Sequence, residues 1–378
     1  MLIGEQSILI VTADHLHQKP TPATRNCFIM HYSDYLQLDK ILNAQFPESD
    51  KREQHAHDEM LFIVIHQAYE LWFKQLMYEA DSVIAIMQKP SVNDNSPELQ
   101  TVVHRLSRMV TILKVLVHQI DVMETMTAMD FLDFRDMLRP ASGFQSWQFK
   151  LLEARLGLKY EHRYGQEYYI SQLRKEEVDT IKKGEQQPAL LGLLNTWLER
   201  MPFFDEPANW KNYHPVSNID LSAANTSYGP FWTDYRQVYI NSLADAEQAN
   251  RQYFEAVFMD AAANDHSRQL SPKACRAALF IMLYRGYPML QLPFQLLNNL
   301  LEIDEQLSTW RYRHMNMVHR TIGSRVGTGG STGRDYLKGA LDKHYIFAEI
   351  ARLTSFLFER RKLPVLSPEM EHRLGFVQ

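Results

Sequence analysis

The segment from Phe294 to Gly323, FQLLNNLLEIDEQLSTWRYRHMNMVHRTIG, decides the fold class of this chain. Its mainly apolar stripe recurs at alternating steps of four and three residues, which places these side chains on one face of an α-helix. Glycine at the end supplies the usual helix stop. We predict a long amphipathic helix that packs against other helices. The stripe consists of Leu296, Leu300, Ile303, Leu307, Trp310, His314, Met317 and Thr321.

Two further long helices are predicted upstream. From about Asp58 to Met87, apolar residues surround most of the helix circumference, which indicates a helix buried on more than one side. From Val102 to Met123, apolar residues again alternate at four- and three-residue steps, as in helical bundles. A shorter helix is predicted near Tyr32 to Ala44. Because no β-hairpin series and no internal repeat is found, the sequence predicts an all-α helical bundle.

Prolines and one capping serine mark further helix boundaries. Ser271 followed by Pro272 has the chemistry of an N-cap and a first helical turn, and predicts a helix that stops near Gly286. Pro288 and Pro293 then separate this helix from the long one that follows.

The chain is expected to be one domain with an arm and an inserted lobe. Residues 1–28 form the N-terminal arm, in which prolines keep the backbone extended, and residues 29–378 form a single helical domain. A proline- and aromatic-rich connection over 201–235 follows a charged segment, RKEEVDTIKKGEQQ. Together they predict a helical lobe inserted at about 165–235.

Composition excludes several classes of function. The chain has 378 residues, a net charge of -5 and a pI near 6.3, so it lacks the basic excess that a nucleic-acid partner requires. Cys27 and Cys275 are its only cysteines, which excludes a disulfide framework and covalent c-type haem. No apolar run reaches the ~18 residues of a membrane span, and the N-terminus does not resemble a signal peptide. We expect a cytoplasmic protein without a membrane partner.

Two histidines lie on inward-facing helix positions. His314 belongs to the apolar stripe described above, whereas His319 lies roughly 140° around the helix, so both cannot bind one iron. His66 shares a helix face with Phe62 and Tyr69. A lone histidine on an apolar stripe is more often a hydrogen-bonded core residue than a ligand. Two inward histidines among aromatic residues favour a pocket, and a neutral imidazole in such a pocket is the usual fifth ligand of haem iron.

Three segments, in the same order, resemble the tryptophan 2,3-dioxygenase family. They are HDEMLFIVIHQAYELWFKQ over 57–75, DFRDMLRPASGFQSWQFKLLE over 133–153 and WRYRHMNMVHRTIGSRVGTGGSTG over 310–333. The similarity extends from about Tyr32 to about Phe358. It implies an all-α fold of the tryptophan and indoleamine dioxygenase type, with one non-covalent haem b per subunit, ferrous when active. It also implies a homotetramer that converts L-tryptophan and dioxygen to N-formylkynurenine, the first step of the kynurenine pathway.

The resemblance assigns roles to the two histidines and to their neighbours. His314, in RYRH, corresponds to the axial ligand of the haem iron, and His66, in IHQAYE, to the catalytic histidine near the indole N–H. A neutral imidazole at His66 can accept that hydrogen bond and orient the ring. Further cofactor-binding residues are Trp310, Ser142 and Gly143.

The remaining implied residues bind substrate. Arg135, in FRD, matches the arginine that holds the substrate carboxylate with a planar, two-pronged guanidinium. Thr328, in the loop GTGG, matches the residue that contacts the amino-acid end of substrate. Phe62 and Phe131 match the aromatic walls of the indole pocket. Further substrate-binding residues are Ile63, Val64 and Ile65. In the family, the N-terminal segment contributes to the pocket of a neighbouring subunit. The matching residues here are Tyr32, Tyr35 and Leu36.

Two positions depart from the family pattern. Arg334 stands where an aromatic residue is common, and Trp147 replaces a smaller aliphatic residue, so tolerance for substituted tryptophans is open.

Three alternative functions stay open, because each would account for the helical pattern. They are a related haem enzyme that inserts a single oxygen atom, a haem-binding sensor without turnover, and a purely structural helical scaffold. Labelled dioxygen, product formation and haem colour distinguish them.

Overall fold

The computed structural model describes residues 30–201, 206–217, 219, 229–259, 268–323, 325 and 333–375. These residues form α-helices and short 3-10 turns and contain no strand, which confirms the predicted all-α class. None of their helices is both long and apolar enough to cross a lipid bilayer. The α-helices are α1 Tyr32–Leu36, α2 Leu38–Ile41, α3 Glu48–Lys51, α4 His57–Met87, α5 Pro97–Met123, α6 Ala128–Arg135, α7 Trp147–Leu156, α8 Gln166–Ser171, α9 Lys175–Glu185, α10 Leu190–Glu199, α11 Gly229–Ser242, α12 Asn250–Phe258, α13 Pro272–Leu283, α14 Pro288–Ile322, α15 Gly333–Lys343, α16 Ala348–Arg352 and α17 Pro368–Leu374.

The chain divides into two compact units, residues 1–46 and residues 47–378. In the first unit, the prediction of one helix from Tyr32 to Ala44 is wrong, because the described residues form the two short helices α1 and α2. Gln37 between them has a left-handed φ of 52°, and its Nε2 atom donates to the Asp34 carbonyl at 2.5 Å. The predicted arm boundary at residue 28 and the inserted lobe at 165–235 stay predictions.

Three long helices form the centre of the second unit. α14 packs along α5, and α5 packs along α4. Ser96 caps α5, because its hydroxyl accepts a hydrogen bond from the Leu99 N–H at 3.1 Å, and Pro97 occupies the first turn. The predicted stripe of α5 is buried, including Leu106 and Leu116. Burial of each leucine contributes about 1.5–3 kcal/mol, so side-chain packing holds these three helices together.

The long helix begins earlier than the sequence predicts. α14 starts at Pro288 and contains Pro293, whereas the prediction placed its start near Phe294. A proline at this point removes one backbone hydrogen bond, but Pro293 and its neighbours Leu290 and Leu296 are buried. Packing therefore compensates for the lost bond. The predicted end is confirmed, since Gly323 follows the helix with a φ of 60°.

Two other helix boundaries were predicted from prolines and from a capping serine. The helix predicted from the Ser271–Pro272 pair is confirmed as α13, and the Ser271 hydroxyl accepts from the Ala274 N–H at 3.1 Å. The long connection predicted over 201–235 is wrong at its end, where α11 begins at Gly229. Proline is compatible with a first helical turn, so Pro230 does not interrupt this helix.

Candidate active site

A cavity lies between two apolar clusters of the second unit. One cluster is the main core, against which Trp310 and Phe149 pack, and the other is a small group around Met126 and Phe134. The walls come from α4, the end of α5, α6, α7, α14 and α15. The cavity brings together eight residues that the sequence assigned to cofactor or substrate: Phe62, His66, Phe131, Arg135, Ser142, Gly143, Trp310 and His314.

His314 faces the cavity from α14. Its ring stacks on Trp310, one turn earlier, with centroids 5.2 Å apart and planes inclined by 26°. The His314 Nδ1 atom is buried and has no hydrogen-bond partner among the described residues. His319 is exposed, as its angular position predicts. The imidazole of His314 is therefore held by packing alone, which leaves it available to a ligand in the cavity.

His66 faces the same cavity from α4 but has a defined hydrogen-bond state. Its Nδ1 atom lies 2.7 Å from the Phe62 carbonyl oxygen, which can only accept. Nδ1 therefore carries the proton, and Nε2 is the acceptor of the neutral ring. The Phe62 ring lies 4.1 Å from the imidazole and 5.7 Å from Phe131. This end of the cavity thus combines flat aromatic walls with one hydrogen-bond acceptor.

Both imidazoles are electrically neutral at neutral pH. Burial, together with a smaller effect of the nearby His66, lowers the pKa of His314 to about 4. Burial also lowers the pKa of His66, although the hydrogen bond to Phe62 and the charge of Glu70 oppose this shift. A neutral imidazole keeps a lone pair, which is the form that binds iron or accepts a hydrogen bond.

Arg135 supplies a buried positive charge to the cavity. It is the last residue of α6, and its side chain is 5% exposed. A capping box starts this short helix, in which Thr127 and Asp130 each bind the other's backbone N–H. The guanidinium lies 3.7 Å from the Asp136 carboxylate, which is largely exposed. A buried guanidinium beside an open cavity is suited to bind a carboxylate of a ligand.

Ser142 and Gly143 reach the cavity from a short 3-10 turn before α7. The Ser142 hydroxyl accepts from the Phe144 N–H at 3.3 Å, and the Ser142 N–H donates to the Gln145 side chain at 3.2 Å. A Cβ atom added at Gly143 would meet no atom within 4 Å. The turn is therefore fixed by its own hydrogen bonds and leaves open space beside the cavity.

Several predicted residues are not brought to this cavity. Ile63, Val64 and Ile65 do not line it, since Ile65 belongs to the small cluster and Val64 is 45% exposed. Thr328 lies outside the described residues. The N-terminal group lies in the first unit, where Tyr32 and Tyr35 of α1 are exposed and Leu36 is half-buried.

Four buried polar residues of the cavity wall were not predicted. They are Lys150, Glu153, Arg311 and His344, all nearly buried. Lys150 and Glu153 lie three residues apart, within reach of one helix face, which is the only sequence signal that groups any of them. Burial lowers the pKa of Lys150 to about 8, while the charge of Glu153 opposes this shift.

Comparison with known proteins identifies the family of this chain. A family model described as tryptophan 2,3-dioxygenase matches residues 16–357, so the match begins further upstream than the predicted Tyr32. A tryptophan 2,3-dioxygenase of Bdellovibrio bacteriovorus is 42% identical over 357 residues, which cover 92% of this chain and 98% of that protein. The protein of the same name from Xenopus laevis is 44% identical over 353 residues, covering 90% of this chain and 85% of that protein. One from Alteromonas mediterranea is 41% identical over 354 residues, covering 92% and 97%. The chain belongs to the tryptophan 2,3-dioxygenase family.

Proposed function

We propose that this chain is a haem-dependent tryptophan 2,3-dioxygenase, which opens the indole ring of L-tryptophan with dioxygen to give N-formylkynurenine. One observation carries the proposal. Two neutral histidines from α4 and α14 line the same apolar cavity, and only His66 has its Nδ1 proton bound by the protein. This difference gives the two rings different roles. His314 is the ligand of the iron, and His66 is the acceptor for substrate.

The residues of the cavity fit a haem b group held without covalent bonds. A flat macrocycle requires apolar and aromatic walls, which Phe73, Phe149 and Trp310 supply on the side of the main core. The iron requires an imidazole with a free lone pair, which His314 provides. Ser142 and Gly143 adjoin the open side of the turn before α7 and are proposed to contact the cofactor. When bound, one ferrous haem per subunit supplies the iron that activates dioxygen.

The substrate is placed by residues at the other wall. Arg135 binds the carboxylate of L-tryptophan through two parallel hydrogen bonds, and Thr328 binds the amino-acid end. His66 Nε2 accepts the indole N–H, while Phe62 and Phe131 confine the ring. These contacts hold the indole C2=C3 bond in place and exclude water from it. Both atoms of dioxygen enter the product, so no external reductant is consumed in the net reaction.

The assembly and the location are also part of the proposal. We propose a homotetramer in which Tyr32, Tyr35 and Leu36 of one subunit complete the substrate pocket of a neighbour. Exposed tyrosines on the short helix α1 support this role, because large exposed aromatic residues are enriched at interfaces. A cytoplasmic location fits the composition of the chain.

One experiment tests the function. Haem-loaded protein is reduced without oxygen and then mixed with L-tryptophan and doubly labelled dioxygen. The proposal expects N-formylkynurenine that contains two labelled atoms. A product with one labelled atom would identify a monooxygenase, and the absence of product from ferrous protein would favour a haem sensor. Protein that stays colourless when supplied with haem would leave only the structural scaffold.

A further inference from the structure

The cavity wall contains a buried polar network that the proposed reaction does not use. Its centre is Glu153 of α7, which is 3% exposed. One carboxylate oxygen, Oε1, accepts from Arg311 Nη2 at 2.6 Å and from His344 Nδ1 at 3.2 Å. The other, Oε2, accepts from Arg163 Nη1 at 2.7 Å. Three donors from three separate parts of the chain therefore meet on one carboxylate.

The donors are themselves fixed by further hydrogen bonds. The Tyr164 N–H donates to His344 Nε2 at 3.0 Å, so the proton of the neutral ring lies on Nδ1 and points to Glu153. Arg311 Nη1 donates to the His344 carbonyl at 3.2 Å. Burial by itself would raise the pKa of Glu153, but the hydrogen bond with His344 and the adjacent arginine charges lower it well below the usual range. The carboxylate is therefore ionised and its hydrogen bonds are charge-assisted.

This network joins three walls of the cavity. Glu153 lies on α7, Arg311 on α14, and His344 directly follows α15. Apolar packing also links these helices, since α14 packs along α15 and the ring centroid of Phe149 on α7 lies 5.0 Å from that of Trp310 on α14. The ion pair and the hydrogen bonds at Glu153 add a second, polar connection between them. Arg311 lies three residues before His314 on α14 and also lines the cavity. Because the two residues share one face of α14, a shift of Arg311 also moves the imidazole of His314.

We infer that Glu153 is a positioning residue for haem binding, which holds α7, α14 and the end of α15 at the spacing that presents His314 to the iron. This inference rests on the proposed role of His314 as the haem ligand. It assigns to Glu153 no contact with substrate.

A second buried glutamate offers a matched control. Glu79 of α4 is 2% exposed and accepts hydrogen bonds from Arg108 Nη1 and Gln75 Nε2, each at 2.8 Å, but it does not line the cavity. The variants Glu153→Gln and Glu79→Gln therefore make the same chemical change in similar surroundings. Both variants should lower the melting temperature of the haem-loaded protein, because each removes the charge of a buried carboxylate that is paired with arginine.

The rate of haem release distinguishes a positioning role of Glu153 from a general effect on protein stability. The holoproteins are mixed with an excess of apomyoglobin, and the rate of haem transfer is followed by absorbance. Glu153→Gln should accelerate transfer about ten- to a hundredfold, as expected for residues that orient a metal ligand, and should alter the ferric absorption spectrum. Glu79→Gln should leave both unchanged. Equal acceleration by the two variants, or none by Glu153→Gln, would overturn the inference.

Arg311→Met supplies an independent test, because on its own it should also accelerate haem release about ten- to a hundredfold over the parent, even if Glu153→Gln fails to fold. Because Glu153 is inferred to act through Arg311, Arg311→Met and the double variant should release haem as fast as Glu153→Gln, within about twofold. Multiplying effects in the double variant would show that the two residues act separately. Full haem retention by His314→Ala would refute the ligand assignment itself, so failure of the proposed function is distinguishable from failure of this inference.

Discussion

Replacement of His66 by alanine tests whether this imidazole orients the substrate. Nδ1 donates to the Phe62 carbonyl at 2.7 Å, which leaves Nε2 as the acceptor for the indole N–H. The analogue 1-methyl-L-tryptophan has no indole N–H and would leave this buried acceptor unpaired, at a cost of about 1–3 kcal/mol. The haem-loaded enzyme should therefore prefer L-tryptophan over the analogue by about 5- to 150-fold in kcat/KM.

The assay compares kcat/KM for both substrates in three proteins. In His66→Ala the acceptor is absent, so the preference should shrink to the steric effect of the methyl group. Phe131→Leu, which changes a wall but keeps the acceptor, should retain the preference. Because burial lowers the pKa of His66 from its ordinary value, the ring becomes charged only at a lower pH than a free imidazole, so the preference should be present at neutral pH. An identical preference in the parent enzyme and in His66→Ala would refute the assignment.

Three further predictions concern the cofactor, the substrate carboxylate and stability. His314→Ala should lose haem during gel filtration, whereas His66→Ala should keep it; equal loss from both would contradict their different roles. Arg135→Gln should raise KM for L-tryptophan by about 10- to 150-fold, from about 1.5–3 kcal/mol for hydrogen bonds to a charged group, and an unchanged KM would exclude a carboxylate contact. Burial raises the pKa of Asp304 to about 6, so the folded state binds its proton more tightly than the unfolded state, whose value is 3.8. Denaturant titrations should compare the free energy of unfolding of the parent with that of Asp304→Asn. The parent should lose about 3 kcal/mol relative to the variant as the pH rises from about 4 to about 6, and no more above that pH. A difference that does not depend on pH would refute this.

The helical period of the sequence predicted the centre of the fold and one side of the site. The stripe of α14 contains Leu307 and His314 at helical spacing, so the inward direction of the imidazole followed from periodicity alone. The start of α14 could not be predicted in this way. Pro293 disrupts a helix in isolation, and only its burial in the folded chain makes the helix continue through it.

The polar network at Glu153 was beyond sequence analysis for a different reason. Glu153 and Arg311 are 158 residues apart, and charged residues in a helix usually mark a solvent-exposed face. Only the tertiary structure shows that both are buried and paired.

A resemblance between whole segments does not distinguish the faces of a helix, so it cannot show which residues of a segment line the cavity. Phe62 and His66 lie one turn apart and share the cavity, whereas Val64 between them points to solvent.

The change of burial along α14 explains why a cavity forms where it does. The first part of the stripe, from Leu296 to Leu307, is almost completely buried against the other helices. From Trp310 onward the same stripe is only half-buried, because part of its surface faces the cavity. This part of the stripe has packing partners on one side only, and each Å² of apolar surface that it leaves uncovered forgoes about 25 cal/mol of stabilisation. A flat apolar group bound at His314 would cover that surface, so binding the cofactor and completing the core of this end of the molecule are the same event.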